Sequence, residues 1–472
     1  MVVVARTDAS ERDLSDAELD GFASRLRGRL GVRPKALSDR PPWNALHEDG
    51  PAVAVRCSGT ADVVAAVDLA RDHDLLTAVR GGGHSVAGLS TVAGGLLIDL
   101  AGMRGVHVDP GRRVVRVQGG ALLGDVDRET QVFGLATPLG RVSETGVAGL
   151  TLGGGYGNLA GAYGLSCDNL VEAQVVGADG VVRTASAESE PDLFWAIRGG
   201  GGNFGVVTSF TFRLHEVGPV VAFAATFHPL EEMVEVERRW RDLAVELPDA
   251  VSSFVVTMTF PAVPGVPDAV HDRPVVIVAA MHSGPAEEGM RVLQPLRELG
   301  TVLFDMSGPT PYCAVQSAFD PFFPRQGLRA YWRSHYLDEL TDEAIATIGA
   351  VAADRPSPLT LVNTYHLGGA VHRVGAEDTA FAERSSPFMV SVDTMWSDPA
   401  QDSAATAWAA TSGDEIAAHA NGRVFLNFTG RTTTAPSMDD AFGRNLIRLG
   451  QVKARYDPTN LFRLNNNVLP RP

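Results

Sequence analysis

The sequence predicts an α+β protein of two domains. Length is the first reason, because a chain of 472 residues exceeds what one hydrophobic core usually supports. The second reason is a change of pattern near residue 216. Before that point, short apolar strands alternate with helices and tight turns. After it, long alternating runs are separated by amphipathic helices, which is typical of a second domain with a different sheet.

Charge and cysteine usage exclude several classes of function. The formal net charge is -16, and Lys35 and Lys453 are the only lysines. Without a cluster of basic residues the chain lacks the surface that nucleic-acid binding needs. Cys57, Cys167 and Cys313 lie far apart and in no C-x-x-C spacing. The sequence therefore predicts neither a metal site nor a disulfide framework.

The N-terminal region predicts a cytoplasmic protein with no membrane partner. Residues 1–33 carry alternating charges where a signal peptide needs an apolar stretch. No later window reaches the run of about eighteen apolar residues that a membrane-spanning helix requires. The sequence gives no indication of the oligomeric state.

The first half begins with a helix, a strand–helix–strand unit and two hairpins. Ser15 and Glu18 form a capping pattern, and the apolar spacing that follows predicts a helix over 15–30. Strand and helix patterns predict a βαβ unit with strands 52–55 and 75–79 around helix 61–70. Turn residues predict hairpins of 106–108 with 114–117 and of 173–176 with 181–183, and a further helix is predicted over 122–133.

The second half predicts long strands with amphipathic helices between them. Strands are expected over 220–226, 251–260 and 275–280, with a helix over 229–247. The segment ends near a strand over 425–428, and a helix over 437–455 follows.

Three glycine-rich segments are candidates for ligand binding. In the first, Arg80-Gly81-Gly82-Gly83-His84-Ser85, three glycines free the backbone N–H groups to close on an anion such as a phosphate. His84 is a candidate proton carrier, ligand or covalent anchor. The alternative is a glycine-rich surface turn with a chance histidine.

The other two segments are 146–157 and 192–208. In the last, Gly200, Gly202 and Gly205 match G-x-G-x-x-G literally. A helix pattern precedes these glycines and a strand follows, which reverses the order of the dinucleotide fingerprint. Nicotinamide cofactors are therefore not expected.

Four motifs follow one another along the chain: R-G-G-G-H-S, G-V-A-G-L-T-L-G-G-G-Y-G, D-L-F-W-A-I-R-G-G-G-G-N-F-G-V-V-T and N-L-F-R-L-N-N-N. Together, and in this order, they resemble the FAD-linked oxidoreductases of the berberine-bridge-enzyme-like group, in the vanillyl-alcohol-oxidase/PCMH superfamily. The resemblance implies a PCMH-type FAD-binding domain of two subdomains (41–215) and an inserted substrate domain (216–428), whose large antiparallel sheet is backed by helices. It also implies an N-terminal helix (1–40) packing on the FAD domain and a C-terminal segment (429–472) completing it.

The resemblance also implies FAD bound covalently through His84, as an 8α-histidyl linkage. Many relatives add a bond from a cysteine at the position of Val142, so a single attachment is expected here. The predicted cofactor-binding residues are Arg80, Gly81, Gly82, Gly83, His84, Ser85, Val142, Ser143, Thr145, Gly146, Gly149, Leu152, Gly153, Gly157, Val206, Val207, Asn465 and Asn467.

The implied activity is that of an oxidase acting on a small-molecule or secondary-metabolite substrate. Hydride passes to flavin N5, a base from the substrate domain takes a proton, and dioxygen is reduced to hydrogen peroxide. Relatives often carry tyrosines where this chain has Phe425 and Phe428. Candidate bases are therefore Tyr365, His366 and His372, on a single predicted strand with the two histidines on one face. Each has an equally good interpretation as an ordinary strand residue.

Thr145 keeps a second activity open. By resemblance it lies beside flavin C4a and N5, where many relatives have an aliphatic residue. A hydroxyl there favours the alternative of an oxygenase that modifies a polyketide-like or aromatic metabolite. A third alternative is a flavoprotein with degenerate chemistry that acts as a carrier or binding module.

Overall fold

The computed structural model describes residues 1–33, 41–47, 50–263, 265–430 and 438–471. Among the described residues, no helix is both long enough and apolar enough to cross a bilayer. The domain boundaries at 40/41, 215/216 and 428/429 stay a prediction, and residue 40 lies outside the described residues.

Strands occur throughout the chain. They are β1 (Val2–Ala5), β2 (Glu11–Leu14), β3 (Arg29–Val32), β4 (Val53–Arg56), β5 (Thr77–Arg80), β6 (Leu96–Asp99), β7 (Val106–Asp109), β8 (Val114–Gln118), β9 (Leu135–Ala136), β10 (Leu170–Val176), β11 (Val182–Ser186), β12 (Val206–Arg213), β13 (His215–Glu216), β14 (Val220–Pro229), β15 (Val251–Phe260), β16 (Arg273–His282), β17 (Phe304–Asp305), β18 (Gly308–Pro311), β19 (Arg329–Leu337), β20 (Leu361–His366) and β21 (Phe388–Trp396).

Helices connect and cover these strands. They are α1 (Asp16–Ala23), α2 (Thr60–Asp72), α3 (Leu123–Gln131), α4 (Val147–Leu152), α5 (Ala160–Tyr163), α6 (Pro191–Ala196), α7 (Met233–Ala244), α8 (Ala286–Val292), α9 (Tyr312–Gln316), α10 (Asp342–Ala353), α11 (Ala370–Arg373), α12 (Asp402–Ala417), α13 (Met438–Phe442) and α14 (Asn445–Tyr456).

Two sheets of the first half carry the glycine segments. One has the order β3-β4-β6-β5, in which β6 pairs in parallel with both β4 and β5. This is the predicted βαβ unit, with β6 inserted between its two strands. The other has the order β11-β10-β12-β8-β7 and contains both predicted hairpins. Helix α6 precedes Gly200, Gly202 and Gly205 of the third segment and β12 follows them, so the reversed order is confirmed.

A large antiparallel sheet forms the second half, as predicted. Its order is β17-β14-β16-β15-β20-β21-β19, with β18 paired to β14. Alternate residues along the strands face opposite ways. Val255, Val362 and Val392 belong to the core under helices α7, α10 and α12, whereas Phe254, Tyr365 and Met389 belong to the core on the other face. That second face forms one wall of the cavity described below.

The helix predicted over 15–30 is shorter than expected. Helix α1 ends at Ala23, and Leu30 lies in β3, paired with Val55. The Asp62 carboxylate accepts hydrogen bonds from the backbone N–H groups of Arg27 (2.8 Å) and Gly28 (3.0 Å), which fixes the chain beyond the helix. This long-range contact overrides the local helical spacing.

The prediction that one strand carries Tyr365, His366 and His372 is also wrong. Strand β20 ends at His366, and His372 lies in α11. The chain turns at Gly369, whose φ is +58° and where a Cβ would lie 2.2 Å from the Gly161 carbonyl oxygen. The positive φ and the close contact explain both the glycine and the turn.

Two predictions near the C-terminus need correction. The segment expected as a strand over 425–428 is a 3-10 turn, Leu426–Phe428, closed by a hydrogen bond from the Phe428 N–H to the Phe425 carbonyl. The helix expected over 437–455 is two helices, α13 and α14, with Gly443 at φ +49° between them. Residue 437 lies outside the described residues.

Candidate active site

A cavity of about 320 Å³ lies between the glycine segments and the face of the large sheet that carries Phe254 and Tyr365. Its walls come from the loop after β5, the region around α4, the start of β12, the C-terminal segment and strands β15, β19, β20 and β21. The following predicted site residues line it: Gly81, Gly82, Gly83, His84, Ser85, Val142, Thr145, Gly146, Gly149, Leu152, Gly153, Val206, Val207, Tyr365 and Asn465.

Gly82 and Gly146 bring two loops into direct backbone contact. A Cβ on Gly82 would lie 2.3 Å from the Gly146 nitrogen, and a Cβ on Gly146 would lie 2.2 Å from the Gly82 nitrogen. No real Cβ tolerates such distances, so both positions require glycine. The first two glycine segments are therefore halves of one cavity wall.

Gly149 and Gly202 have a different environment. Both line the cavity, and a Cβ on either would meet no heavy atom within 4 Å. Packing within the protein therefore does not explain these two glycines. Bare backbone that faces a cavity is suited to close approach by a flat or phosphorylated ligand.

His84 is held in place but keeps a free nitrogen. Its ring stacks on Trp43, with centroids 4.5 Å apart and planes 18° from parallel. Nε2 is buried and has no hydrogen-bond partner among the described residues. Burial, assisted by the charge of Arg325, lowers the pKa of His84 to about 4. At neutral pH the imidazole is therefore uncharged, the form in which a ring nitrogen is nucleophilic.

Three other predicted cofactor-binding residues, Arg80, Ser143 and Gly157, do not line the cavity. Arg80 Nε donates to the Ser90 carbonyl oxygen (3.0 Å) and supports the loop after β5. Ser143 donates to the carboxylate of Asp320 through both its backbone N–H and its hydroxyl. At Gly157 a Cβ would lie 1.7 Å from the Leu139 carbonyl oxygen, so this glycine serves packing.

A buried ion pair joins the third glycine segment to the C-terminus. Lys453 and Asp457 are fully buried and 2.6 Å apart. The Lys453 ammonium also donates to the carbonyl oxygens of Asn203 (2.7 Å) and Phe462 (3.1 Å). The sequence analysis missed this pair. The sequence does contain one indication of the pair. Lys453, one of only two lysines, stands four residues before Asp457, a spacing that places two side chains on the same face of a helix.

Two C-terminal asparagines have unused acceptors. The Oδ1 atoms of Asn465 and Asn467 are buried and have no partner among the described residues. Asn465 donates through Nδ2 to the Phe462 carbonyl oxygen (2.8 Å) and lines the cavity. A buried acceptor left open costs free energy unless a ligand or water satisfies it. Both atoms are thus consistent with a ligand-binding role for the N-N-N run.

Asp393 is the one carboxyl group among the described cavity-lining residues, and the sequence analysis missed it. It is 3% exposed and lies on β21, where the cross-strand neighbour is Trp332. Asn363 Nδ2 donates to its Oδ2 (2.9 Å), and the Ser391 hydroxyl donates to its Oδ1. Burial outweighs these hydrogen bonds and raises the pKa of Asp393 to about 7. Such a carboxyl is suited to exchange protons at neutral pH.

Of the three predicted bases, only Tyr365 lines the cavity. Burial, with the charge of Asp393, raises the pKa of the Tyr365 phenol above its usual value, so the group stays protonated at neutral pH. His366 and His372 lie outside the cavity lining, and His372 Nε2 is 3.2 Å from the Ser386 carbonyl oxygen. The ring of Trp332, on β19, also lines the cavity.

Comparisons with known proteins agree with this geometry. Residues 51–186 match the family model described as an FAD binding domain, and residues 424–469 match the model described as berberine and berberine like. An FAD-linked oxidoreductase of Dictyostelium discoideum is 31% identical over 436 residues, which is 91% of each chain. An FAD-dependent monooxygenase of Fusarium proliferatum is 41% identical over 171 residues, 36% of this chain and 33% of that protein.

A solved structure shares the architecture. The crystal structure of 6-hydroxy-D-nicotine oxidase from Arthrobacter nicotinovorans has a TM-score of 0.83 and 27% identity, and the match covers 94% of this chain and 98% of that one. The cavity sits where the two matched family segments meet the large sheet. The chain belongs to the FAD-linked oxidoreductases of the berberine-bridge-enzyme-like family, in the PCMH-type FAD-binding fold.

Proposed function

We propose that the protein is an oxidase that removes two electrons and two protons from a small-molecule substrate, with Asp393 as the base. One observation carries this proposal: a carboxyl group with a pKa of about 7 lies in the wall of the glycine-lined cavity. A base with a pKa near the working pH is the most effective proton acceptor. The oxidase name of the matched nicotine oxidase supports the same class.

The residues of the cavity fit FAD. The unpartnered Nε2 of His84 supports a covalent attachment there, and open backbone at Gly149 and Gly202 supports close approach of a large cofactor. Val142 lines the cavity where a second attachment would need a cysteine, and Cys57, Cys167 and Cys313 do not line it. We therefore propose a single histidyl linkage. FAD supplies the two-electron acceptor, whose electrons pass to dioxygen to give hydrogen peroxide.

Asp393 acts in its ionised form. Its carboxylate accepts the proton of a substrate O–H or N–H while the neighbouring C–H bond loses hydride, and a C=O or C=N bond forms. Asn363 and Ser391 hold the carboxylate in place through one hydrogen bond to each oxygen. The protonated Tyr365 phenol is suited to donate a hydrogen bond to the same substrate atom rather than to take its proton.

The alternative is an oxygenase, and one observation favours it. Thr145 lines the cavity, and its backbone is fixed by hydrogen bonds with Val142 (3.0 Å) and Leu123 (2.9 Å). Its hydroxyl forms no hydrogen bond with another described residue in the structure. That group is therefore available to a ligand in the cavity.

Peroxide yield separates the two activities. As an oxidase, the parent protein gives one hydrogen peroxide per substrate consumed. Thr145→Val removes one hydroxyl at nearly constant shape, so we expect unchanged anaerobic flavin reduction and a change of about three- to tenfold in reoxidation rate. Stopped-flow reoxidation with product analysis measures both. Oxygenated product with little peroxide would contradict the oxidase assignment. Unchanged reoxidation in the variant would show that Thr145 serves packing alone.

A further inference from the structure

Arg141 lies at the aromatic end of the cavity, beside the large sheet. Its guanidinium carbon is 4.5 Å from the ring centroid of Phe254, 4.7 Å from that of Tyr156 and 5.1 Å from that of Tyr365. All four residues line the cavity. Ring faces attract a cation but accept no conventional hydrogen bond, so the guanidinium N–H groups need acceptors other than these rings.

A chain of side-chain amides fixes the orientation of Arg141. Its Nε donates to Asn158 Oδ1 (2.7 Å), and Asn158 Nδ2 donates to Gln316 Oε1 (2.9 Å). Gln316 Nε2 in turn donates to the Gly140 carbonyl oxygen (3.1 Å). Asn158 and Gln316 are both buried. The guanidinium plane is therefore held by a neutral scaffold.

The charge of Arg141 has no carboxylate partner in the part of the chain that the structure describes. Nη2 is buried and has no hydrogen-bond partner among the described residues. No described carboxylate lies within ion-pair distance of Arg141. An arginine is charged at every physiological pH and presents its terminal nitrogens as a planar fork. A buried donor without an acceptor is costly, which points to a ligand that supplies the missing acceptor.

The carboxyl group nearest along this network does not neutralise Arg141. Asp127 is reached through Gln316, whose Nε2 is 3.5 Å from Asp127 Oδ2. Burial, with the charge of Asp320, raises the pKa of Asp127 to about 7. Two neutral amides separate this group from the guanidinium.

We infer that Arg141 binds the carboxylate of a planar, aromatic or conjugated substrate. The fork geometry matches the two oxygens of a carboxylate, and the surrounding rings match a flat apolar body. The remaining aromatic lining, which includes Phe319, Phe323 and Trp332, extends the same surface. This inference rests on the proposed function and adds to it the chemical class of the substrate.

Calorimetric titration of the holoenzyme tests the inference with two probes, trans-cinnamate and its neutral isostere cinnamamide. We expect the parent to bind cinnamate about 10- to 100-fold more tightly than cinnamamide, as charge-assisted hydrogen bonds imply. Arg141→Gln removes this preference, and Arg141→Lys restores part of it because the charge remains without the fork. All proteins are matched for FAD content by absorbance.

Arg355 provides a matched control. Its Nε and Nη1 are also buried without partners among the described residues, but it does not line the cavity. Arg355→Gln should therefore leave both affinities unchanged. Equal affinity of the parent for the two probes, no binding of either, or a preference that persists in Arg141→Gln would overturn the inference.

The titration, read together with an assay of oxidase activity, separates this inference from the proposed function. A preference for cinnamate in a protein that oxidises no substrate leaves the Arg141 assignment intact and rejects the oxidase. Oxidase activity without a preference for cinnamate rejects the Arg141 assignment and leaves the oxidase assignment intact.

Discussion

Asp393→Asn is expected to lower kcat by about 10²- to 10⁴-fold, the usual contribution of a positioned general base. The amide keeps the size of the carboxyl group but cannot accept the substrate proton. Burial raises the pKa of Asp393 to about 7, so in the parent kcat/KM should fall as the pH drops below that value and level off above it. The variant should lose this pH dependence. Anaerobic flavin reduction across a pH series measures both effects.

Glu237 gives the matched control. It is a second buried carboxyl group whose pKa burial raises to about 7, but it lies on α7, under the opposite face of the sheet. Glu237→Gln should keep the parental rate and the parental pH profile. If Asp393→Asn reduces the flavin as fast as the parent does, another group takes the proton and the proposed base is wrong.

Lys453→Met is expected to lower the free energy of unfolding by about 3–5 kcal/mol, because it leaves the Asp457 carboxylate buried without its cation. Both side chains are fully buried. Asp457 also accepts from the backbone N–H groups of Leu461 (2.8 Å) and Phe462 (2.9 Å), so the loss should loosen the C-terminal wall of the cavity. Urea unfolding of the holoenzyme, followed by tryptophan fluorescence, measures the change.

Arg448 controls for the loss of a charge on the same helix. Its ion pair with Asp192 is exposed, with 46% and 47% of the two side chains accessible. Surface pairs of this kind contribute about 0–1 kcal/mol, so Arg448→Met should have a small effect. Equal losses in the two variants would show that burial of the Lys453–Asp457 pair does not matter.

The local parts of the fold were predictable from the sequence. The βαβ unit, both hairpins and the long strands depend on turn residues and apolar periodicity, which act over a few residues. Glycine segments were also visible, since Gly82 and Gly146 need glycine for a backbone contact. The helix predicted over 15–30 is too long because Asp62, distant in sequence, fixes the chain at Arg27 and Gly28.

The cavity wall that the large sheet contributes was less predictable, because the pairing of distant strands assembles it. Asp393, Asn363 and Trp332 come from three strands and meet only in the sheet. One local signal existed: Asp393 is the single charged residue in the apolar strand β21. Arg141 offered no comparable signal, since its partners are rings from two strands and one loop. Its role follows from an unmet hydrogen bond, which a sequence does not display.

Peptide mass spectrometry of the acid-precipitated holoprotein tests most directly whether this cavity holds FAD attached at His84. We expect the yellow colour to stay with the polypeptide and the peptide that contains His84 to gain the mass of FAD, while the cysteine peptides stay unmodified. Complete release of FAD into the acid supernatant, or flavin on a cysteine peptide, would contradict the proposed single histidyl linkage.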